Sequence, residues 1–143
     1  MPFSLATSPA ARGLNDDCAV LPFGSETLIL THDTMVAGVH YLPEQDPADV
    51  AWKLVATNIS DLAAKGAIPM GVLLSYQLTG AESRFLAGLA EALEEYGAPL
   101  LGGDTVSSQG PQVLGLTAIG RATHRPVPGR DGAQAGDAVY ITG

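Results

Sequence analysis

The sequence predicts an α+β domain with a single mixed β-sheet and two main helices packed on one face. Short apolar runs of strand length alternate with two helical segments, and some neighbouring strands are separated only by short turns. The apolar content is 46% of 143 residues, which suits a packed core of one domain's size. These observations favour one sheet that combines helical crossovers with hairpin connections.

Two strands are predicted near the start of the chain, separated by a Gly-Ser turn, with a short third extended segment after them. These predicted segments are residues 17–22, 27–33 and 36–41. The first helix follows, with Asp46 as its expected N-cap and Pro47 as its first residue. Its apolar stripe indicates a well-buried helix, and Pro69 is expected to stop it.

The second half of the chain begins with a nearly continuous apolar run at 70–78, typical of a strand covered by helices. Thr79 and Glu82 form a predicted capping box for the second helix, whose apolar side chains recur at helical spacing until Gly97. The remaining predicted segments are strands at 98–101, 113–122 and 137–143 and a loop rich in proline and glycine at 123–136.

Composition excludes several classes of function. The net charge of −8 lacks the basic footprint of a nucleic-acid surface. No apolar run approaches the roughly 20 residues of a membrane span, and the first residues lack a secretory signal, so a cytoplasmic location is the expectation. Cys18 is the single cysteine, which rules out an internal disulfide and favours a buried thiol.

Four short acidic signatures interrupt the apolar pattern. Each lies where an apolar run meets a loop or crosses a helix, so we expect their carboxylates to converge. Two carboxylates about 4 Å apart repel by roughly 4 kcal/mol at an effective dielectric near 20, so a cluster stays ionised only around bound cations. The sequence therefore predicts a site for hard cations. The signatures are Asn15-Asp16-Asp17, Thr31-His32-Asp33, Asn58-Ile59-Ser60-Asp61 and Gly102-Gly103-Asp104-Thr105.

Taken one at a time, these residues have simpler interpretations. An isolated aspartate at a strand end, such as Asp17 or Asp33, is ordinarily a turn former. Asp61 falls on a helix face that solvent alone could explain, and His40 between Val39 and Tyr41 could be a hydrogen-bonded structural residue. The presence of all four signatures in one chain favours the cation site.

The signatures, in this order, resemble those of thiamine-monophosphate kinase, within the superfamily that includes aminoimidazole ribonucleotide synthetase. The similarity spans residues 13–143 and includes the stretches at 33–41 and 58–67. The resemblance implies ATP-dependent phosphorylation of thiamine monophosphate to thiamine diphosphate by direct in-line transfer assisted by Mg²⁺. A phosphate that attacks a phosphate brings two polyanions together, and metal clamps and positioning are the main help a protein offers.

By position, the resemblance assigns ligand-binding roles to individual residues. It assigns no side chain a chemical step, since the reaction depends on positioning and on the charge of the metal ions. It implies magnesium ligands at Asp17, Thr31, His32, Asp33, Asp61 and Asp104, ATP contacts at Gly103, Asp104 and Arg130, and a substrate contact at His40. It also implies a homodimer formed through an edge or face of the sheet, with Mg²⁺, ATP and thiamine monophosphate bound. The charge and the short apolar runs described above argue against a nucleic-acid or membrane partner.

Three features depart from the family pattern. Asn15 stands where the family usually has glycine, although asparagine tolerates left-handed backbone better than most residues. His32 replaces a threonine, so only its backbone carbonyl is a ready Mg²⁺ ligand. The stretch 124–129 resembles an insertion, which leaves Arg125 as a competitor to Arg130 for phosphate.

The resemblance implies that residues 1–143 are the N-terminal ATP- and Mg²⁺-binding domain of a longer kinase. The C-terminal domain that completes the family's site is absent from this chain, so the isolated domain is expected to be inactive or nearly so. Two alternatives stay open at this point. One is another ATP-using synthetase of the same superfamily, and the other is a non-catalytic dimerising or ligand-sensing module on the same fold.

Overall fold

The computed structural model describes residues 5–80 and 82–141. A short 3-10 helix, Pro9–Leu14, precedes five strands and two α-helices. Within this described part, no helix combines the length and the apolar character needed to cross a membrane. In chain order the elements are β1 (Ala19–Phe23), β2 (Glu26–Val36), α1 (Pro47–Ala64), β3 (Ala67–Gln77), α2 (Glu82–Glu95), β4 (Leu100–Val106) and β5 (Val113–Ala122).

The five strands form one sheet in the order β1-β2-β5-β3-β4. All neighbouring pairs are antiparallel except β3 and β4, which are parallel and joined by the crossover helix α2. Both helices lie on the same face of this sheet. The predicted fold class, a single mixed sheet with two helices on one face, is confirmed.

Helix α1 begins and ends as its sequence dictates. Asp46 Oδ1 accepts a hydrogen bond of 2.9 Å from the backbone N–H of Ala48, and Pro47 occupies the first helical position. The helix ends at Ala64, because Gly66 adopts a φ of +60° that turns the chain into β3. Lys65 caps this end, and its amide bonds carbonyls of the last turn.

The hydrophobic core lies between the helices and one face of the sheet. Ile29 of β2, Leu116 of β5 and Leu54 of α1 are all fully buried. Burial of one such side chain contributes about 1.5–3 kcal/mol, so this layer holds the helices on the sheet. No helix covers the opposite face in the described residues, and Leu73 and Ser75 are exposed there. We call that surface the open face.

Strand β5 has the predicted bounds, whereas the other four strands begin and end at residues other than those predicted, and β3 and β4 differ most. Pro69 lies inside β3 and does not stop a helix. The strand can include this proline because the pairing of β3 with β5 shifts register between Pro69 and Gly71. This irregularity accommodates a residue that has no backbone N–H to donate. The Gly-Gly-Asp-Thr motif lies within β4 and does not follow it, since residues 102–106 continue the parallel ladder with β3.

Two other predicted strands do not form. Val36 ends β2, and residues 37–41 make a turn closed by a bridge between Ala37 and Tyr41, in which the amide of His40 bonds to the carbonyl of Val36. The predicted strand at 137–143 is wrong for residues 137–141, which are exposed and outside the sheet, and its last two residues lie outside the described residues. A run rich in apolar residues therefore does not form a strand without a neighbouring strand to pair with.

Gly88 allows α2 to approach α1 closely. A Cβ atom built at Gly88 would lie 2.5 Å from both Cα and the carbonyl oxygen of Ala48, which is shorter than non-bonded heavy atoms can approach. The two helices therefore pack backbone to backbone at this point.

We expect Gly88→Ala to lower the free energy of unfolding by about 1–2 kcal/mol. Overpacking costs about 1–3 kcal/mol and exceeds the roughly 1 kcal/mol that alanine gains in helix propensity. Urea denaturation measures the change. Ser83→Ala, at an exposed position of α2, is the control and stays within about 0.5 kcal/mol of wild type. Equal stability of Gly88→Ala and wild type would contradict the close contact.

Candidate metal and phosphate site

Helix α1 and strand β2 bring Asp61 and Thr31 into direct contact. Thr31 is buried and its side chain faces α1, and its hydroxyl donates a hydrogen bond of 2.6 Å to Asp61 Oδ2. The same hydroxyl lies 3.4 Å from the backbone carbonyl oxygen of Asp17. Oxygen atoms from three separate segments of the chain therefore meet at the helix-covered face of β2.

Asn58 fixes the position of Asp33 relative to the helix. Its side chain is fully buried, and its Nδ2 donates to the carbonyl of Leu54, which is 2.9 Å away. Its Oδ1 accepts a hydrogen bond of 3.2 Å from the backbone N–H of Asp33. The Asn-x-x-Asp spacing thus has two roles: Asn58 joins α1 to β2, and Asp61 lies where the charge of Asp33 on β2 acts on it.

The negative charges of Asp17 and Asp33 act on the carboxyl group of Asp61. Burial raises the pKa of Asp61, and the negative charges of Asp33 and Asp17 raise it further, while the hydrogen bond from Thr31 and the charge of Lys65 oppose the change. A carboxyl group with like charges so near is stabilised in its ionised form by a bound cation.

Carboxylate and hydroxyl oxygens are the donors that Mg²⁺ takes from proteins, so the chemistry of this set fits a magnesium ion. The set is not a closed cage. Among residues 5–80 and 82–141, no three His, Cys, Asp or Glu side chains are grouped closely enough to hold a metal by themselves. The remaining coordination positions are left to water or phosphate oxygens, as is usual for Mg²⁺ beside nucleotides.

Asp17 is paired with Arg130. The Arg130 guanidinium donates to Asp17 Oδ1, and both side chains are accessible to solvent. The alternative arginine is elsewhere: Arg125 Nη2 donates a 2.8 Å hydrogen bond to the carbonyl of Ser25, in the turn between β1 and β2. Of the two arginines, the structure places Arg130 beside the acidic residues.

Asp16, by contrast, is almost completely enclosed, with 4% of its side chain exposed. It forms ion pairs with Lys65 and with Arg12, whose Nη1 lies 2.6 Å from Asp16 Oδ2. Burial alone would raise the pKa of Asp16, but the hydrogen bonds from Lys65 and Arg12 outweigh it and lower the pKa to about 2. The adjacent aspartates therefore have different surroundings. Sequence reasoning missed Lys65 and Arg12, although Lys65 follows Asp61 by one helical turn.

His32 and Asp104 lie on the open face, away from the carboxylates described above. His32 Nδ1 is 2.8 Å from Thr117 Oγ1, and its Nε2 is 3.2 Å from Thr34 Oγ1. Asp104 is in register with Ser75 and borders the same cavity of about 250 Å³ as His32. The charges of Asp17 and Asp33 thus act on Asp61, whereas Asp104 lies elsewhere on the sheet.

The remaining predicted site residues have visible structural partners. A Cβ atom on Gly103 would overlap the carbonyl oxygen of Leu74, so β4 can approach β3 there only with glycine. His40 Nδ1 accepts a 3.0 Å hydrogen bond from the backbone N–H of Val36, and its carbonyl accepts one from Lys53. These contacts account for both residues locally, and their assignment to nucleotide and substrate stays a prediction.

Comparisons with known proteins agree with the motifs. The model of the family described as AIR synthase related protein, N-terminal domain, matches residues 15–122. Thiamine-monophosphate kinase of Escherichia coli strain K12 is 40% identical over 139 residues, which cover 92% of this chain and 41% of that protein. The corresponding kinase of Caulobacter vibrioides is 43% identical over 141 residues, covering 94% and 40%.

A solved structure, AaThiL complexed with AMPPCP and TMP, superposes with a TM-score of 0.78 at 30% identity, over 93% of this chain and 45% of that one. The chain thus spans about two-fifths of the length of the curated relatives it matches. These relatives confirm the resemblance to thiamine-monophosphate kinases that the four signatures indicated. On the strength of the family model and these identities, the chain belongs to the family of AIR synthase related proteins and carries its N-terminal domain.

Proposed function

We propose that this chain is the part of a thiamine-monophosphate kinase that binds Mg²⁺ and the phosphates of ATP. The observation that carries the proposal is that Asp61, the Thr31 hydroxyl and the backbone of Asp17 meet at the helix-covered face of β2, with Arg130 paired to Asp17. The names of the curated relatives supply the substrate class, and the solved relative holds AMPPCP and TMP. The cytoplasmic location stays a prediction from the sequence.

The residues support in-line phosphoryl transfer through position and charge. Mg²⁺, when bound, would neutralise the oxygens of the two phosphates that must meet. Asp17, Asp33 and Asp61 would hold it, with Thr31 orienting Asp61 through its hydroxyl. Arg130 would exchange its contact with Asp17 for a phosphate oxygen, for which its planar donors are well suited. No side chain of this set needs to accept or donate a proton during the transfer.

The residues of the open face belong to a second part of the proposal. Asp104 and Gly103 lie on β4, which β5 and β3 separate from β2, the strand of Thr31 and Asp33. His32 lies on β2 itself, but its side chain is on the opposite face of the sheet from Thr31. We propose that a second copy of the chain covers the open face, as the resemblance implies for a homodimer. The exposed apolar side chains of Leu73 and Leu101 support this.

Asp61→Asn tests the cation site. We expect binding of a non-hydrolysable ATP analogue in the presence of Mg²⁺ to weaken on the order of tenfold to a hundredfold, because a charged oxygen ligand is lost. Isothermal titration calorimetry measures the affinity with and without Mg²⁺. Asp49→Asn removes the same charge from an exposed position of α1 and should leave binding unchanged.

Magnesium-dependent binding that is equal in Asp61→Asn and wild type would rule out Asp61 as a ligand. A wild-type chain that binds no nucleotide at any Mg²⁺ concentration would instead favour the non-catalytic alternative.

A pair of arginine variants tests the phosphate contact. Arg130→Met should reduce affinity for the ATP analogue by about tenfold or more, since a charge-assisted hydrogen bond is lost, while Arg125→Met should leave it unchanged. The two variants carry the same change of charge, so calorimetry separates a specific contact from a general effect. The reverse ranking would show that Arg125 is the phosphate residue.

Leu73→Asp tests the covered open face. A charge in a dimer interface without a partner is strongly unfavourable, so we expect the variant to sediment as a monomer where wild type sediments as a dimer. Leu86→Asp is the control, because Leu86 is similarly exposed but lies on the helical side. A wild-type monomer, or a dimer that survives Leu73→Asp and dissociates with Leu86→Asp, would exclude this interface.

A further inference from the structure

The enclosed carboxylate of Asp16 connects three segments that carry proposed ligands. We propose that Asp16 is a positioning residue, which holds Asp17 and the segment of Arg130 in place and does not itself bind metal. The inference rests on the proposed function for the roles of Asp17 and Arg130. It deepens that proposal by assigning different tasks to the two adjacent aspartates.

The first connection is to the backbone of Asp17. Asp16 Oδ1 accepts a hydrogen bond of 2.9 Å from the Asp17 N–H. On the other side of the same residue, the Asp17 carbonyl oxygen lies 3.4 Å from the Thr31 hydroxyl. Asp17 is therefore held at its amide and at its carbonyl, while its carboxylate is exposed to solvent and paired only with the exposed Arg130.

The second connection runs through Arg12 to the segment that carries Arg130. Asp16 Oδ2 lies 2.6 Å from Arg12 Nη1, which also donates to the carbonyl of Pro128 at 2.7 Å. Arg12 Nη2 donates to the carbonyl of Val127 at 2.8 Å. Arg130 follows Pro128 by two residues. The Asp16 carboxylate thus orients the Arg12 guanidinium, which binds two backbone carbonyls of the segment that precedes Arg130.

The third connection is to the end of α1. The Lys65 ammonium forms an ion pair with Asp16 Oδ1, and each of the two side chains is 4% exposed. Lys65 is the C-cap residue of α1 and follows Asp61 by four residues, so both project from the same side of the helix. The acidic loop is therefore attached to the helix that supplies Asp61.

These contacts also explain why Asp16 is not the ligand. Both of its oxygens already accept hydrogen bonds, and two cations neutralise it inside the protein. A metal ion would have to displace Lys65 or Arg12 and enter a nearly closed space. Residues that orient metal ligands through hydrogen bonds typically affect metal affinity by about 10–100-fold, although they never touch the ion.

The test uses the double variant Asp16→Leu with Lys65→Met, which removes both members of the buried ion pair. Replacing such a pair with apolar residues of similar volume is often neutral for stability. We expect the variant to fold. Its affinity for Mn²⁺, measured by electron paramagnetic resonance, should fall about 10–100-fold. Its backbone ¹⁵N order parameters at Asp17 and Arg130 should fall from about 0.85 to below about 0.6. Asp131→Asn is the control, because Asp131 is an exposed carboxylate on the rim of the cavity that Arg12, Asp16 and Arg130 line.

The variant Asp16→Asn tests the contact with Arg12 separately from the contact with Asp17. It also decides the question if the double variant does not fold. Its amide oxygen can still accept from the Asp17 N–H, but its amide nitrogen cannot accept from Arg12. We therefore expect the backbone order parameter to stay high at Asp17 and to fall at Arg130.

A folded double variant with unchanged order parameters and Mn²⁺ affinity would overturn the inference, as would an Asp16→Asn variant with both positions rigid. A wild-type chain that binds no Mn²⁺ would contradict the proposed function, and the order parameters would then still decide whether Asp16 holds Asp17 and Arg130.

Discussion

The docking of α1 onto β2 is the constraint on which the candidate site depends. Apolar side chains bring the helix to the sheet, but apolar contact alone does not fix how far the helix slides along the strand. Two polar contacts do so: the Thr31 hydroxyl donates to Asp61 at 2.6 Å, and Asn58 accepts from the amide of Asp33 at 3.2 Å. Because these groups are buried or half-buried, a shift would leave them unpaired at a cost of about 1–3 kcal/mol each. The alignment that stabilises the fold therefore also aligns the carboxylates.

The protein balances these negative charges with its own cations in two ways. Lys65 is buried against Asp16 and cannot leave without leaving an unpaired charge, so it is a permanent counter-ion of the loop. Arg130 is exposed and pairs with Asp17 at the surface, where ion pairs contribute at most about 1 kcal/mol and exchange readily. In the proposed function this difference matters, because a cation that exchanges can meet a phosphate, whereas the enclosed one keeps the loop in shape.

Much of the fold followed from local sequence signals. The cap at Asp46 and the apolar periodicity of the two helices predicted both elements, and the strand at 113–122 has the predicted bounds. The errors came from long-range pairing, which local signals do not show. Pro69 was accommodated by a register shift, and residues 137–141 have no strand beside them in the part of the chain that the structure describes. At the candidate site, the motifs predicted which acidic residues take part, but the face of the sheet on which each one lies depends on strand register. Adjacent residues of a strand lie on opposite faces of the sheet, so Thr31 faces the helices and His32 lies on the open face. The motif alone does not show which of the two residues lies on which face.

The central claim is that Asp17, Asp33 and Asp61 form one cation site. A titration of the ¹³C-labelled chain with Mg²⁺, followed through the side-chain carboxyl resonances, tests it most directly. The account predicts that these three resonances shift together with one midpoint, while the exposed Asp49 on the same helix does not respond. Three unrelated midpoints, or a response no larger than that of Asp49, would contradict it.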